Sequence, residues 1–355
     1  MDQFLYGLPV IGLAFEFVGY LVAVLPLIAP IILKASTPIA FAALCGVMCE
    51  RTGVVNIGIE GTMLVSAFVG WTAGVYLAPV LGTEAGPVFG ASAALVAALV
   101  LALLAGVLVS LVHAWLSISV RADQIISGTI INIAALGITG YLIALLAQSS
   151  PTGAGQFKAW TPPDTLTDLP FVGWIFDTLL GQGPLTISLL VIVVVFQIAL
   201  FRTRWGLRSR AVGEHPRAAE TVGINVVRLR YRNVLVGGVL AGLGGAFLSM
   251  EGTAVFQQDM AAGRGFIGLA AMIVGRWTPL GAFGAALLFA SSGGIAQSIL
   301  IAPPPGQLGE IMLSLPPQFF DAVPYLVTII ILAGVVGRSV PPAADGQPYE
   351  RESAT

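Results

Sequence analysis

Uncharged apolar runs of about 20 residues recur along most of this chain, and no other feature narrows its possible folds as much. A bilayer core about 30 Å thick takes about 20 apolar residues per helix, and within it every backbone polar group must be bonded internally. Composition agrees: 57% of the 355 residues are hydrophobic and 10% are charged, where a soluble domain carries roughly 25% charged residues. Apolar segments bounded by Gly, Pro or charge fall near 9 to 33, 35 to 49, 60 to 80, 87 to 117, 125 to 147, 184 to 201, 233 to 251, 265 to 276, 280 to 302 and 323 to 337. They predict an all-α fold, a polytopic integral membrane helical bundle of about ten transmembrane segments, within a range of 8–10. The run at 265 to 276 is too short to span and reads as a half-helix or a re-entrant element.

Orientation comes from the one long break in apolar character. Between Arg202 and Arg232 lie eight of the 14 arginines. Placing that loop in the cytoplasm and alternating outward puts thirteen basic residues inside, and only Lys34, Lys158 and Arg264 outside. The ten-segment reading therefore has both termini cytoplasmic. Residues 1–337 form the transmembrane domain, 148–183 an extracytoplasmic loop whose Trp160 and Trp174 either rest at the interface or help receive a solute, and 338–355 a polar cytoplasmic tail expected to be disordered. Met-Asp-Gln-Phe at the start lacks a basic n-region, so the first apolar run reads as a retained span.

Within the basic break the order of residues exceeds what charge placement requires. Pro216 suits the first turn of a helix, Arg217 to Val222 continue it, and Gly223 terminates it in a left-handed conformation. A helix of about two turns is marginal alone, so it implies a surface to pack on. Docking is the functional reading, and a solvated topogenic loop is the alternative.

Three further segments place polar groups near or within spans. In Glu50-Arg-Thr-Gly-Val-Val-Asn-Ile-Gly-Ile-Glu-Gly-Thr-Met63, Asn56 and Glu60 are i and i+4 and are expected on one helical face, with Glu60 near the inner boundary. Asn132 sits deep in the span opened by Arg121-Ala-Asp-Gln, where it either touches a polar solute or bonds another helix. Gly263-Arg-Gly-Phe-Ile-Gly-Leu through Arg276 and Trp277 fits a tightly packed or broken helix anchored by that Arg-Trp pair at the cytoplasmic end. Glu16 and Glu251 have no partner visible in the sequence, and Cys45 and Cys49 share a helical face as packing residues.

Other chemistry is excluded by type and spacing. The two lysines, Lys34 and Lys158, sit in Leu-Lys-Ala and Phe-Lys-Ala, so the chain has no Walker A loop. His113 and His215 lack metal-ligand spacing, no nucleophile adjoins an evident base, and no nucleic-acid footprint is present. A cofactor, a metal and an enzymatic activity are all unexpected.

Taken in order, Glu-Arg-Thr-Gly-Val-Val-Asn-Ile-Gly-Ile-Glu-Gly, Ala-Asp-Gln-Ile-Ile-Ser-Gly-Thr-Ile-Ile-Asn, Gly-Glu-His-Pro-Arg-Ala-Ala-Glu-Thr-Val-Gly-Ile and Gly-Arg-Gly-Phe-Ile-Gly-Leu-Ala-Ala-Met-Ile-Val-Gly-Arg-Trp resemble the permease subunits of ATP-binding-cassette importers. The nearest branch is that of nucleosides and simple sugars, related to the ribose and branched-chain amino acid permeases. Residues 1 to 34 and Thr62 depart from its pattern. The resemblance implies a multi-pass subunit of a bacterial-type inner membrane, lying in lipid beside a second permease, homologous or identical, two cytoplasmic ATP-binding subunits and an extracytoplasmic solute-binding protein. It implies that Gly213, Glu214, His215, Pro216, Arg217, Ala218, Ala219 and Gly223 form the element that couples to the ATPase, with Glu214 to Ile224 as the coupling helix. The translocated solute is then a nucleoside or small sugar-like molecule, with Asn56, Gly58, Glu60, Asn132 and Phe266 as pathway candidates. An ion-coupled secondary transporter is the mechanistic rival, needing midplane carboxylates that are scarce here. A membrane-embedded enzyme is the rival from another class.

Overall fold

The computed structural model describes residues 9–86, 88–146, 155–170, 172–316, 339–350 and the isolated positions 318, 319, 322, 326, 329 and 330. Most of the predicted segment at 323 to 337 lies outside them, as do residues 1–8 and 351–355. Every regular element among the described residues is a helix. In chain order these are α1 (Pro9–Glu50), α2 (Ile59–Leu81), α3 (Ala93–Ala114), α4 (Gln124–Leu146), α5 (Asp164–Thr167), α6 (Gly173–Leu180), α7 (Pro184–Arg202), α8 (Arg204–Glu214), α9 (Pro216–Thr221), α10 (Val226–Ala246), α11 (Arg264–Val274), α12 (Pro279–Ile301) and α13 (Gln307–Ser314). Wider π-helical turns extend α3 over Trp115–Val120 and α10 over Phe247–Gly252.

Seven helices among the described residues are long and apolar enough to cross a membrane: α1, α2, α3 with its π turn, α4, α7, α10 with its π turn, and α12. The two segments expected at 9 to 33 and 35 to 49 are one continuous helix of 42 residues, so the expected pair of crossings becomes a single helix. Neither Pro26 nor Pro30 nor the charge of Lys34 ends it. α11, with 11 residues, is as short as its sequence predicted.

Side-chain size is distributed as a lipid-facing helix requires. α3 buries Leu95, Ala98, Ala102 and Gly106 and exposes Val100, Leu104, Leu108 and Leu111. Apart from Leu95, small residues face protein and large ones face outward, because lipid gives no hydrophobic reward for burying a leucine and close backbone approach is what holds such helices together. The close approach is real at α10: a Cβ on Gly245 would stand 2.1 Å from the Met63 carbonyl oxygen of α2, and one on Gly106 of α3 would stand 2.6 Å from the Gly238 carbonyl oxygen.

The chain divides into two compact units. One comprises residues 37–160, 183–286 and 338–355, and contains α2, α3, α4, α7 through α11 and the tail. The other comprises residues 1–36, 161–182 and 287–337. Its core gathers Tyr20 and Ile299 with Phe17, Leu21, Val24, Met312 and Leu315, and the Tyr20 hydroxyl donates to the Ala302 carbonyl at 2.9 Å.

Candidate functional site

The basic segment folds into two helices where the sequence predicted one. Thr203 caps α8, its hydroxyl accepting from the Gly206 N–H at 3.2 Å. α8 ends at Glu214, His215 breaks the direction with φ −141°, and α9 starts with Pro216 at its first position. Gly223 closes it with φ +83°, as the sequence indicated. Asn225 then caps α10, accepting from the Arg228 N–H at 2.9 Å, so α10 begins seven residues before the apolar run at 233. The expected single helix from Glu214 to Ile224 is thus the end of one helix, a corner and a short second helix.

α9 has the supporting surface that its length demands. Ala219 points inward onto Val212 of α8, Val226 of α10 and Tyr349 of the tail. Arg217, Ala218, Thr221 and Val222 face outward, Val222 being 75% exposed. Gly213 allows the underlying α8 to sit against the α1–α2 connection: a Cβ there would meet the Arg51 carbonyl oxygen at 2.4 Å. Cations on this side lie over rings, Arg210 over Phe201 at 5.0 Å and Arg232 over Trp205 at 5.6 Å, which fixes their stems and leaves the outward face ordered.

The pathway candidates converge, though differently from the expectation. α2 begins at Ile59, so Asn56 precedes the helix and does not share a helical face with Glu60. Asn56 is buried; its Oδ1 accepts from the Gly58 N–H at 3.0 Å and its amide nitrogen lies 3.8 Å from the Cys49 sulfur. Asn132 of α4 binds both sides of the same turn, accepting from the Gly61 N–H at 2.8 Å and donating to the Ile57 carbonyl at 3.0 Å. Of its two sequence readings, helix bonding is the one the geometry displays. Gly58 permits that crossing, since a Cβ would stand 3.3 Å from the Gly128 Cα.

Glu60 bonds the opposite neighbour. Its Oε1 accepts from the Gly263 N–H at 2.7 Å and its Oε2 from the Gly265 N–H at 2.6 Å. The carboxylate therefore caps α11, where orphan N–H groups and the helix dipole both favour an anion. Phe266 follows directly, 48% exposed. At the other end of α11, the Trp277 indole N–H donates to Glu50 Oε2 at 2.6 Å and Arg51 donates to the Trp277 carbonyl at 2.7 Å. Trp277 is buried, not an interfacial anchor, and it and Arg276 both hold left-handed φ angles of 52° and 54°. Glu60 and the Glu50–Arg51 pair thus hold opposite ends of the 11-residue α11, about 16 Å apart at the usual rise.

Known proteins are similar to this chain in sequence. The model of the family described as "Branched-chain amino acid transport system / permease component" matches residues 28–332. The chain belongs to that permease family. Among its relatives, the guanosine ABC transporter permease protein NupQ of Bacillus subtilis is 39% identical over 93% of this chain and 98% of the relative. The nucleoside ABC transporter permease protein NupC of Lactococcus lactis is 37% identical over 88% of this chain and 93% of the relative. A putative glucose ABC transporter permease protein of Haloferax volcanii, TsgC13, is 31% identical over 90% and 96%. Bacillus subtilis has a second guanosine ABC transporter permease protein, NupP, 27% identical to this chain over 84% and 78%. No solved structure matches the chain.

Several features of this permease were not legible in its motifs. Glu251, at the end of α10, caps α7: it accepts from the Leu185 N–H at 2.7 Å and the Thr186 hydroxyl at 2.6 Å. An ionisable residue beside a span needs a partner, but nothing local identifies one 65 residues away. His113 is likewise structural, joining the Val55 carbonyl at 2.9 Å and Ser127 at 3.1 Å. Thr62, anomalous by family pattern, is buried and returns its hydroxyl to the Gly58 carbonyl at 2.8 Å. The tail, expected to be disordered, is packed over residues 339–350: Ala344 and Tyr349 are buried, and the Ala344 N–H donates to the Gly213 carbonyl at 2.8 Å.

Proposed function

We propose that this chain is one of two paired permease subunits of an ATP-driven importer that carries a nucleoside across a bacterial-type inner membrane. The observation that carries the reading is the outward face of α9, four side chains held on a rigid support in a chain that has no nucleotide-binding loop of its own. A short helix with one face packed and the other presented is suited to a rigid-body push from a separate ATPase subunit. Gly213, Glu214, His215, Pro216, Arg217, Ala218, Ala219 and Gly223 make the seat, and Val222 is its apolar tip. ATP hydrolysis belongs to the separate subunits, and an extracytoplasmic binding protein delivers the solute.

The names of NupQ and NupC favour a nucleoside, and a pair of guanosine permeases in one organism favours a heteromeric pathway. Asn56, Glu60 and Asn132 support the pathway by holding α2, α4 and α11 in register, and Phe266 beside them offers an aromatic face on which a base can stack. The α8–α9 segment and the tail that bonds to it lie on the cytoplasmic side.

The test is uptake into liposomes by the complex assembled with its ATPase subunits and binding protein. ATP-dependent accumulation of guanosine or another nucleoside, exceeding that of glucose, is the expected result. Accumulation that proceeds without ATP, or that follows an ion gradient, refutes the importer reading; preference for glucose refutes the nucleoside.

A further inference from the structure

The tail touches, in succession, most of the elements on the side of the molecule that carries α9. The Ser339 hydroxyl donates to the Ile273 carbonyl at the end of α11, 2.8 Å away. The Ala343 N–H donates to Glu214 Oε2 at 3.2 Å, and the Ala344 N–H reaches Gly213. The Ala344 carbonyl oxygen occupies the space a Cβ on Gly53 would need, at 2.7 Å, inside the connection that leads from α1 to Asn56 and Glu60. Arg230 of α10, fully buried, donates to the Gln347 carbonyl at 3.1 Å and stands over the Tyr349 ring at 5.9 Å. The Tyr349 hydroxyl donates to the Glu220 carboxylate on α9, and Glu350 pairs with Arg121 of the α3–α4 connection at 2.7 Å.

These contacts have a mechanical consequence. α9 is six residues long and buries only Ala219 of its own, so Tyr349 joins Val212 and Val226 in the surface beneath it. The same tail closes on Gly53, seven residues before the carboxylate that caps α11. A contiguous packed path therefore runs from the outward helix, through Tyr349 and Ala344, to the turn that positions Glu60.

We propose that residues 339–350 are a tie that transmits displacement of α9 to the α1–α2 connection, with Tyr349 as its positioning residue on α9. The proposal rests on the reading of α9 as the ATPase seat. Loss of the tie separates ATP hydrolysis from transport while the complex still assembles.

The experiment uses the complete complex in liposomes and reads two quantities: ATPase subunits co-purified with the permease, and solute accumulated per ATP hydrolysed. Tyr349→Ala is expected to lower the transport ratio by about three- to tenfold with co-purification unchanged. Tyr349→Phe, which removes only the hydroxyl, lowers it less. Tyr349→Phe combined with Glu220→Ala falls no further than the more affected single variant, because both break one contact. A native ratio in Tyr349→Phe and Tyr349→Ala, or a loss of co-purified ATPase in proportion to transport, overturns the tie. If Tyr349→Ala fails to fold, Tyr349→Phe and the double variant decide alone, and additive losses there also overturn it. Val222→Asp, on the opposite face of the corner, separates the two claims: it should release the ATPase, and full association in that variant overturns the seat whatever Tyr349 does.

Discussion

The α9 corner and the Glu60 junction of this permease use polar groups in opposite ways. At the corner, charged and small residues face outward from a small apolar contact, and the polar bonds come from the tail behind it. At the junction, Glu60 and Asn132 spend their hydrogen-bonding capacity on backbone groups of neighbouring helices. Both sets of residues attract notice in the sequence for the same reason, polarity beside a membrane. The difference teaches that a deep polar residue is first a fastening: with no water available, an unmade bond is costly, so the side chain fixes backbone before it can serve a solute.

That contrast can be broken at the junction with the largest effects. Glu60→Ala leaves the Gly263 and Gly265 N–H groups unpaired, and should cost about 3 to 5 kcal/mol by the usual value of bonds to a charged acceptor. Thermal unfolding of the detergent-solubilised protein measures it, and Glu60→Gln should recover part of the loss. Gly265→Ala, whose Cβ would stand 2.6 Å from Glu60 Oε2 and 2.7 Å from the Glu60 Cα, should cost about 1 to 3 kcal/mol by overpacking in the same assay. Asn132→Leu removes two interhelical bonds, worth about 1 to 2 kcal/mol together in a membrane. A melting temperature unchanged in all three would mean that the junction is not a fastening.

At the corner the expected stability changes are small and the association changes large. Val222→Asp, at a residue 75% exposed, should alter stability by less than about 0.5 kcal/mol while weakening ATPase association about tenfold, measured by titrating the purified ATPase onto the permease. The smallest effect concerns Asp345. Burial pushes its carboxyl up to about 6, against the opposing influence of Glu50 and Arg230 beside it. The docked tail therefore prefers the protonated carboxyl, so docking is strongest below about pH 4, weakens as pH rises through about 6, and is flat above. Hydrogen-exchange protection of the Ala343 and Ala344 amides should follow it, and Asp345→Asn should make the profile level.

What could be read directly from the residues was whatever is encoded by neighbours in the chain. Apolar length gave the helical membrane architecture, the excess of arginine marked the segment between α7 and α10, and Pro216 and Gly223 set the limits of α9, since propensity, capping and φ preference act within a few residues. Tertiary structure alone decided the rest. It made α1 one helix, set Glu60 on the start of α11, split the docking segment at His215 and packed a polar tail onto Arg230 and Glu220. In each case the deciding partner lies far away in sequence, as Glu60 with Gly263 or Tyr349 with Glu220. A buried charge or an orphan N–H demands a partner, and chemistry specifies its kind; only the fold brings a particular one within reach.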